Sequence, residues 1–125
     1  MIVYTTIGTN DLRRAAAFYD ALFAPLGYKR LIESDSKIAW GTDTSQPMFF
    51  ASKPFDGRPA SAGNGTMIAI AMKDTAQIDA THAKALALGA TNEGSPGPRG
   101  PAFYCAYFRD LDGNKLNLFC LVDRT

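Results

Sequence analysis

One order of elements occurs twice in this chain, and it limits the folds available more than any other feature. Residues 2–7 are β-branched and aromatic, which suits a strand. Asn10 or Asp11 then offers a helix cap, and Leu12, Ala15, Tyr19, Leu22 and Phe23 follow at helical spacing. Pro25 and Gly27 end that helix. Strand-like runs come next at 28–33, 37–40 and 47–52, separated by polar turns. From residue 66 the order begins again. The apolar run 66–72 leads to a cap at Asp74 or Thr75, then to a helical stripe of Ile78, His82, Ala85 and Leu86 that Gly89 can terminate. Strand candidates at 91–94, 103–109 and 115–121 complete the second set. Identity between the halves is slight, so the repeat is one of architecture. The expectation is an α+β fold of two β-α-β-β-β modules, 1–52 and 66–122. Each has one helix to cover one face of its sheet. Pro54, Gly57, Pro59, Gly63 and Gly65 mark 53–65 as the linker, and glycines at 94, 97 and 100 mark 94–102 as a second loop.

A length of 125 residues fits a single domain, 1–125, large enough to bury a core without staples. Hydrophobic residues at 46% and charged residues at 20% exclude a disordered chain. Lys plus Arg is 13 against 12 Asp plus Glu, with no basic stripe, so nucleic acid is not an expected partner. Two cysteines, Cys105 and Cys120, are too few for a disulfide framework. No signal peptide and no membrane-length apolar stretch is visible. The expected address is the cytoplasm, with no membrane partner.

A single histidine removes most metal and nucleophile chemistry. Neither HExxH nor paired CxxC occurs, and no GxSxG elbow, Walker loop or GxGxxG is present. Asp110-Leu111-Asp112-Gly113-Asn114 has a calcium-loop flavour but lacks the later acidic ligands, and it reads as a hairpin turn. Asn64-Gly65-Thr66 matches a glycosylation sequon and reads as a turn entering a strand. His82, on the apolar stripe, is either a core histidine bonded to a backbone carbonyl or a proton shuttle, and no carboxylate stands beside it in sequence. Both cysteines lie in apolar strand-like runs and read as packing. Phe18-Tyr19 and Phe49-Phe50 are core material or the lining of an apolar cavity.

The duplicated order, with its local motifs, resembles the vicinal oxygen chelate superfamily of glyoxalase I, bleomycin-resistance proteins and extradiol dioxygenases. The carriers are Thr6-Ile7-Gly8-Thr9-Asn10-Asp11-Leu12 leading to Ala17-Phe18-Tyr19, and Ala24-Pro25-Leu26-Gly27-Tyr28. Lys53-Pro54-Phe55-Asp56-Gly57, Gly63-Asn64-Gly65-Thr66 and Arg109-Asp110-Leu111-Asp112-Gly113-Asn114-Lys115 complete them. The resemblance implies a half-open, eight-stranded, barrel-like cup enclosing a cavity. It also implies a divalent metal held by His, Gln or Glu on the first and last strands of the modules. Here those positions are Tyr4, Met67 and Asn117, with Phe49 or Phe50 on the remaining strand. A phenol, a thioether and an amide suit a hard or borderline dication poorly, so no metal and no other cofactor is expected. Strand alternation instead puts Tyr4 and Thr6, Met67 and Ala69, and Lys115, Asn117 and Phe119 on inward faces, with Ile68 and Ile70 toward the helix. With Phe49 these residues are expected to line a cavity for a small, largely apolar molecule with a polar end. The family also implies a homodimer. Two other readings stand beside this one: a metal-dependent glyoxalase-like lyase or dioxygenase with an atypical ligand set, and a structural interaction module whose cavity has closed.

Overall fold

The structure is a computed structural model and describes residues 1–122. The chain divides into two compact units, Met1–Ala62 and a second that begins at Gly63. In the first, strand β1 (Tyr4–Gly8) is followed by helix α1 (Leu12–Phe23) and strands β2 (Lys29–Glu33), β3 (Lys37–Gly41) and β4 (Met48–Ser52). In the second, β5 (Ile68–Ala71) is followed by α2 (Thr75–Ala87), β6 (Thr91–Arg99), β7 (Phe103–Arg109) and β8 (Lys115–Leu121). The sheets have the same topology, β1-β4-β3-β2 and β5-β8-β7-β6, with one parallel pair each, β1 with β4 and β5 with β8. Each unit is thus an open mixed sheet with a single helix, an α+β fold in which the repeat extends to strand order.

Local chemistry sets the helix ends. Asp11 caps α1 by accepting from the Arg14 amide at 3.0 Å, and Thr9 Oγ1 accepts from the Asp11 amide. Pro25 lies in the 3₁₀ turn that follows α1, and Gly27 closes that turn in the left-handed region at φ 82°. Asp74 caps α2 through the Gln77 amide at 2.8 Å, while Gln77 Oε1 accepts in return from the Lys73 amide.

The cores differ in material. In the first unit Tyr19 and Phe23 of α1 meet Trp40 and Phe49 of the sheet at centroid separations of 4.9 to 6.1 Å. In the second, Ile78, Thr81, His82 and Ala85 of α2 are buried, and Phe108, Leu116 and Leu118 of the sheet are fully so. His82 takes the core role: its Nε2–H donates to the Tyr107 carbonyl at 3.0 Å, fastening α2 to β7. Cys105 and Cys120 are buried free thiols, and burial pushes the Cys120 thiol up from its ordinary value.

One expectation is corrected. Residues 94–102 do not form a loop throughout, because β6 runs on to Arg99. Pro96 and Pro98 are tolerated since β6 is an edge strand. The pairing absorbs the irregular backbone by register shifts between Asn92 and Gly94 and between Gly94 and Gly97. No described helix is long and apolar enough to cross a membrane.

Candidate functional site

Each sheet has one face against its helix and one free of it, and side-chain bonds identify which is which. Trp40 Nε1–H donates to Asp20 of α1 at 2.9 Å, so Trp40 and its register partner Phe49 lie on the helix side of the first sheet. Phe49 is 8% exposed and packs on Tyr19 and Phe23. Its expected place in a cavity lining is therefore corrected: Phe49 is core. Alternation gives the helix-free place to Phe50, whose ring lies 4.8 Å from Tyr4 and beneath Lys37 Nζ at 5.9 Å. Tyr4 and Thr6 share this face, Thr6 pairing with Phe50 in register. At its far end a groove of about 750 Å³ opens under the loop that follows β4, with Thr6, Lys37, Ser52, Lys53 and Phe55 among its walls. The loop is held there by Asn10, whose side chain bonds both the amide and the carbonyl of Ala60.

In the second unit Tyr104 Oη–H donates to Asp79 of α2 at 2.7 Å, which assigns Tyr104 and its partner Cys120 to the helix side. Leu116 and Leu118 share that side by alternation, with Ile68 and Ile70 paired to them as expected. The opposite parity holds Lys115, Asn117 and Phe119 on β8, Ala69 on β5, and Phe103, Cys105 and Tyr107 on β7. Met67, the residue before β5, continues the parity of Ala69. Phe103 meets Phe119 at 5.2 Å. The fold thus brings five of the expected site residues onto one face, Tyr4 and Thr6 onto another, and removes Phe49 from both.

Two further side chains belong with the second face. Tyr107 pairs with Asn117 across β7 and β8, and its ring has Lys115 Nζ at 5.4 Å and the Arg99 guanidinium at 5.5 Å. The Arg99 guanidinium is steadied by the carbonyls of Pro98 and Ser95, at 3.1 and 2.9 Å. Glycine makes this possible. A Cβ at Gly94 would stand 2.8 Å from the Tyr107 ring, and one at Gly97 would stand 3.3 Å from Arg99 Nη1. Burial pushes the Tyr107 phenol up, with Cys105 beside it adding to the effect, so the ring keeps its proton. Sequence reasoning missed Arg99 because it lay in a stretch read as loop. Tyr107 was within reach, since counting outward from the Asp110–Asn114 turn pairs it with Asn117.

Asn117 is the most costly residue of the face. It is 5% exposed, and its Oδ1 is buried with no hydrogen-bond partner among the described residues. Of the positions where the resemblance implies metal ligands, Met67 and Asn117 lie on this face and contribute a thioether and one neutral amide oxygen. These donors do not fit a hard divalent cation, which needs anionic oxygens or imidazole to offset its dehydration.

Two open four-stranded sheets, each with a helix on one face and both in the same strand order, define the class of tandem β-α-β-β-β proteins. The chain belongs to the Glyoxalase/Bleomycin resistance protein/Dioxygenase superfamily, whose profile matches residues 1–118. It is similar to a glyoxalase/bleomycin resistance protein from Albidiferax ferrireducens T118, with TM-score 0.87 and 36% identity over 95% of this chain and 97% of that one. It shares its fold with a glyoxalase/bleomycin resistance protein/dioxygenase family enzyme from Burkholderia phytofirmans PsJN, at TM-score 0.76 and 18% identity over 96% and 98% of the two chains. It shares it also with a lactoylglutathione lyase from Agrobacterium tumefaciens, at TM-score 0.69 and 20% identity over 95% and 92%. No curated protein matches.

Proposed function

We propose that this member of the superfamily binds a small, largely apolar molecule with a polar end, and does so without a divalent metal. The observation that carries the reading is Asn117, whose buried amide has an unused acceptor where the family places a metal-binding carboxylate. An unpaired buried polar group costs about 1–3 kcal/mol, and a ligand N–H or O–H would recover it. Met67, Ala69 and Phe119 supply apolar surface beside it. Covering about 100 Å² of ligand hydrocarbon contributes roughly 2.5 kcal/mol before association costs. A pliable thioether next to aromatic rings suits a ligand of irregular shape.

Two measurements on one sample test this. Elemental analysis of protein purified without chelator or metal-affinity resin is expected to find no stoichiometric divalent metal. One zinc, nickel or iron per chain would overturn the metal-free reading. Two-dimensional amide spectra of the protein, recorded with a library of small neutral aromatics, are expected to find binders that shift the amides of 67–71 and 115–119. A library that yields none overturns the binding reading.

The molecule is further proposed to act as a homodimer. Support comes from the edge strands of both sheets and from the exposed Phe55 and Phe103, which are apolar surface left uncovered. Light scattering at micromolar concentration is expected to return twice the 13.5 kDa chain mass, and a monomer mass removes the claim.

A further inference from the structure

We propose that Asn64-Gly65 is a self-modifying site, at which the Asn64 carboxamide converts without an enzyme to a mixture of aspartate and isoaspartate. The proposal does not depend on the reading of either sheet face as a ligand site.

The chemistry needs an asparagine carboxamide that can turn freely and a following backbone nitrogen that can reach it. The Gly65 nitrogen attacks Asn64 Cγ and forms the new C–N bond of a succinimide. The Asn64 side-chain nitrogen takes up the Gly65 amide proton and leaves as ammonia. Water then opens the ring. Opening at the side-chain carbonyl leaves a normal backbone with aspartate, and opening at the backbone carbonyl leaves isoaspartate, with the chain routed through the side chain. The net change is uptake of one water and loss of one ammonia, so no oxidant or cofactor takes part. Ring closure gains from being intramolecular, and glycine hinders the approach least of all residues.

The structure favours each requirement at this pair. Residues 61–67 are all exposed. Neither the Asn64 side chain nor the Gly65 amide has a hydrogen-bond partner among the described residues. The turn is closed by the Thr66 amide donating to the Gly63 carbonyl at 3.2 Å, a single exposed bond that opens at little cost. Gly65 lies at φ 93°, and a Cβ built there would meet nothing within 4 Å, so the nucleophile is uncrowded.

The other asparagines supply the contrast. Asn10 is tied to Ala60, Asn92 to Ser95 and Asn114 to Asp110, while Asn117 is buried. None of them precedes a glycine. Asp56-Gly57 and Asp112-Gly113 could close the same ring, but their glycine amides are engaged, donating to the Pro54 and Asp110 carbonyls at 3.1 and 3.0 Å. Among the described residues, a free carboxamide, a free backbone nitrogen and a glycine coincide at Asn64 alone. The turn opens the second unit and leads into β5. Conversion adds a carboxylate there and brings the formal net charge of +1 to zero. The isoaspartyl form also lengthens the backbone inside the turn, so the bond from Thr66 to Gly63 cannot keep its geometry.

The test incubates the full chain and its Asn64→Gln variant in parallel in warm, mildly alkaline buffer. Glutamine at this exposed position keeps the turn but must close a larger ring, which forms more slowly. Isoelectric focusing is expected to show a more acidic form growing in the wild type and not in the variant. Peptide mapping by mass spectrometry is expected to place a gain of about 1 Da at Asn64, at a rate at least about tenfold that at any other asparagine. An isoaspartyl carboxyl methyltransferase with labelled S-adenosylmethionine is expected to label the aged wild type and not the aged variant. A wild type that gains no acidic form overturns the proposal. So does an acidic form that grows equally fast in Asn64→Gln, or conversion at another asparagine as fast as at Asn64. Equal methyl labelling of the two chains overturns the isoaspartyl product at this residue and assigns it elsewhere in the chain.

Discussion

Trp40→Ala is expected to lower the stability of the chain by about 3–5 kcal/mol, the range for truncating a buried large aromatic. Trp40 is 1% exposed and lies among Tyr19, Phe23 and Phe49, so its loss leaves a cavity that rigid rings cannot collapse to fill. It also removes a donor from Asp20, which holds β3 to α1. Urea unfolding followed by circular dichroism checks the magnitude, because the variant has no tryptophan left to report by fluorescence. A loss below about 1 kcal/mol would mean that the aromatic cluster is not the core of the first unit. The same contact has a pH signature. The Arg30 guanidinium, bonded to Asp20 through both its Nε and Nη2, holds the Asp20 carboxyl below its ordinary value of 3.8, and Trp40 assists. A carboxyl depressed in the folded state stabilises above its unfolded pKa and loses that contribution as pH falls through the folded one. Below pH 4 the wild type is therefore expected to lose stability more steeply than Asp20→Asn. Parallel acid limbs would show the pair to be fully screened.

How much of this was legible beforehand follows from where the local signals are strong. Helix caps, the turn at Asp110–Asn114 and the glycine stop of α2 each rest on a handful of neighbouring residues, and they appear where the sequence implies. Strand parity carried most of the face assignments, because a register error of one residue would have exposed Leu116 and Leu118. It failed at Phe49-Phe50, where two adjacent rings give alternation nothing to distinguish. The helix decided the matter: Tyr19 and Phe23 need a flat partner beside Trp40, and Phe49 is the one in register. It failed also on β6, whose prolines and glycines carry the usual marks of a loop. An edge strand escapes that rule, since one row of its amides pairs with nothing. The missed Arg99 followed directly from that error, and with it the charge of the face.

Asn117→Leu is expected to raise stability by about 1–3 kcal/mol and to abolish binding of the ligand, an outcome few buried substitutions produce. Leucine has a shape close to that of asparagine and brings no polar atom, so it fills the place between Ala69 and Tyr107 without an orphaned acceptor. The wild type tolerates that acceptor at a cost, and a cost retained at one buried residue among apolar neighbours on its strand is the mark of a group kept for use. Binding should fall because the ligand loses its partner for the N–H or O–H, whatever the charge at its other end. The midpoint of urea unfolding, at unchanged slope, measures the first effect, and titration with neutral 4-hydroxybenzamide measures the second. Reduced stability in the variant would show that the amide is already satisfied in the folded protein, and the argument for an open ligand position would fall with it. Raised stability with unchanged binding would leave the amide orphaned but idle. Only the pairing of a firmer fold with a lost ligand assigns Asn117 to binding rather than to packing.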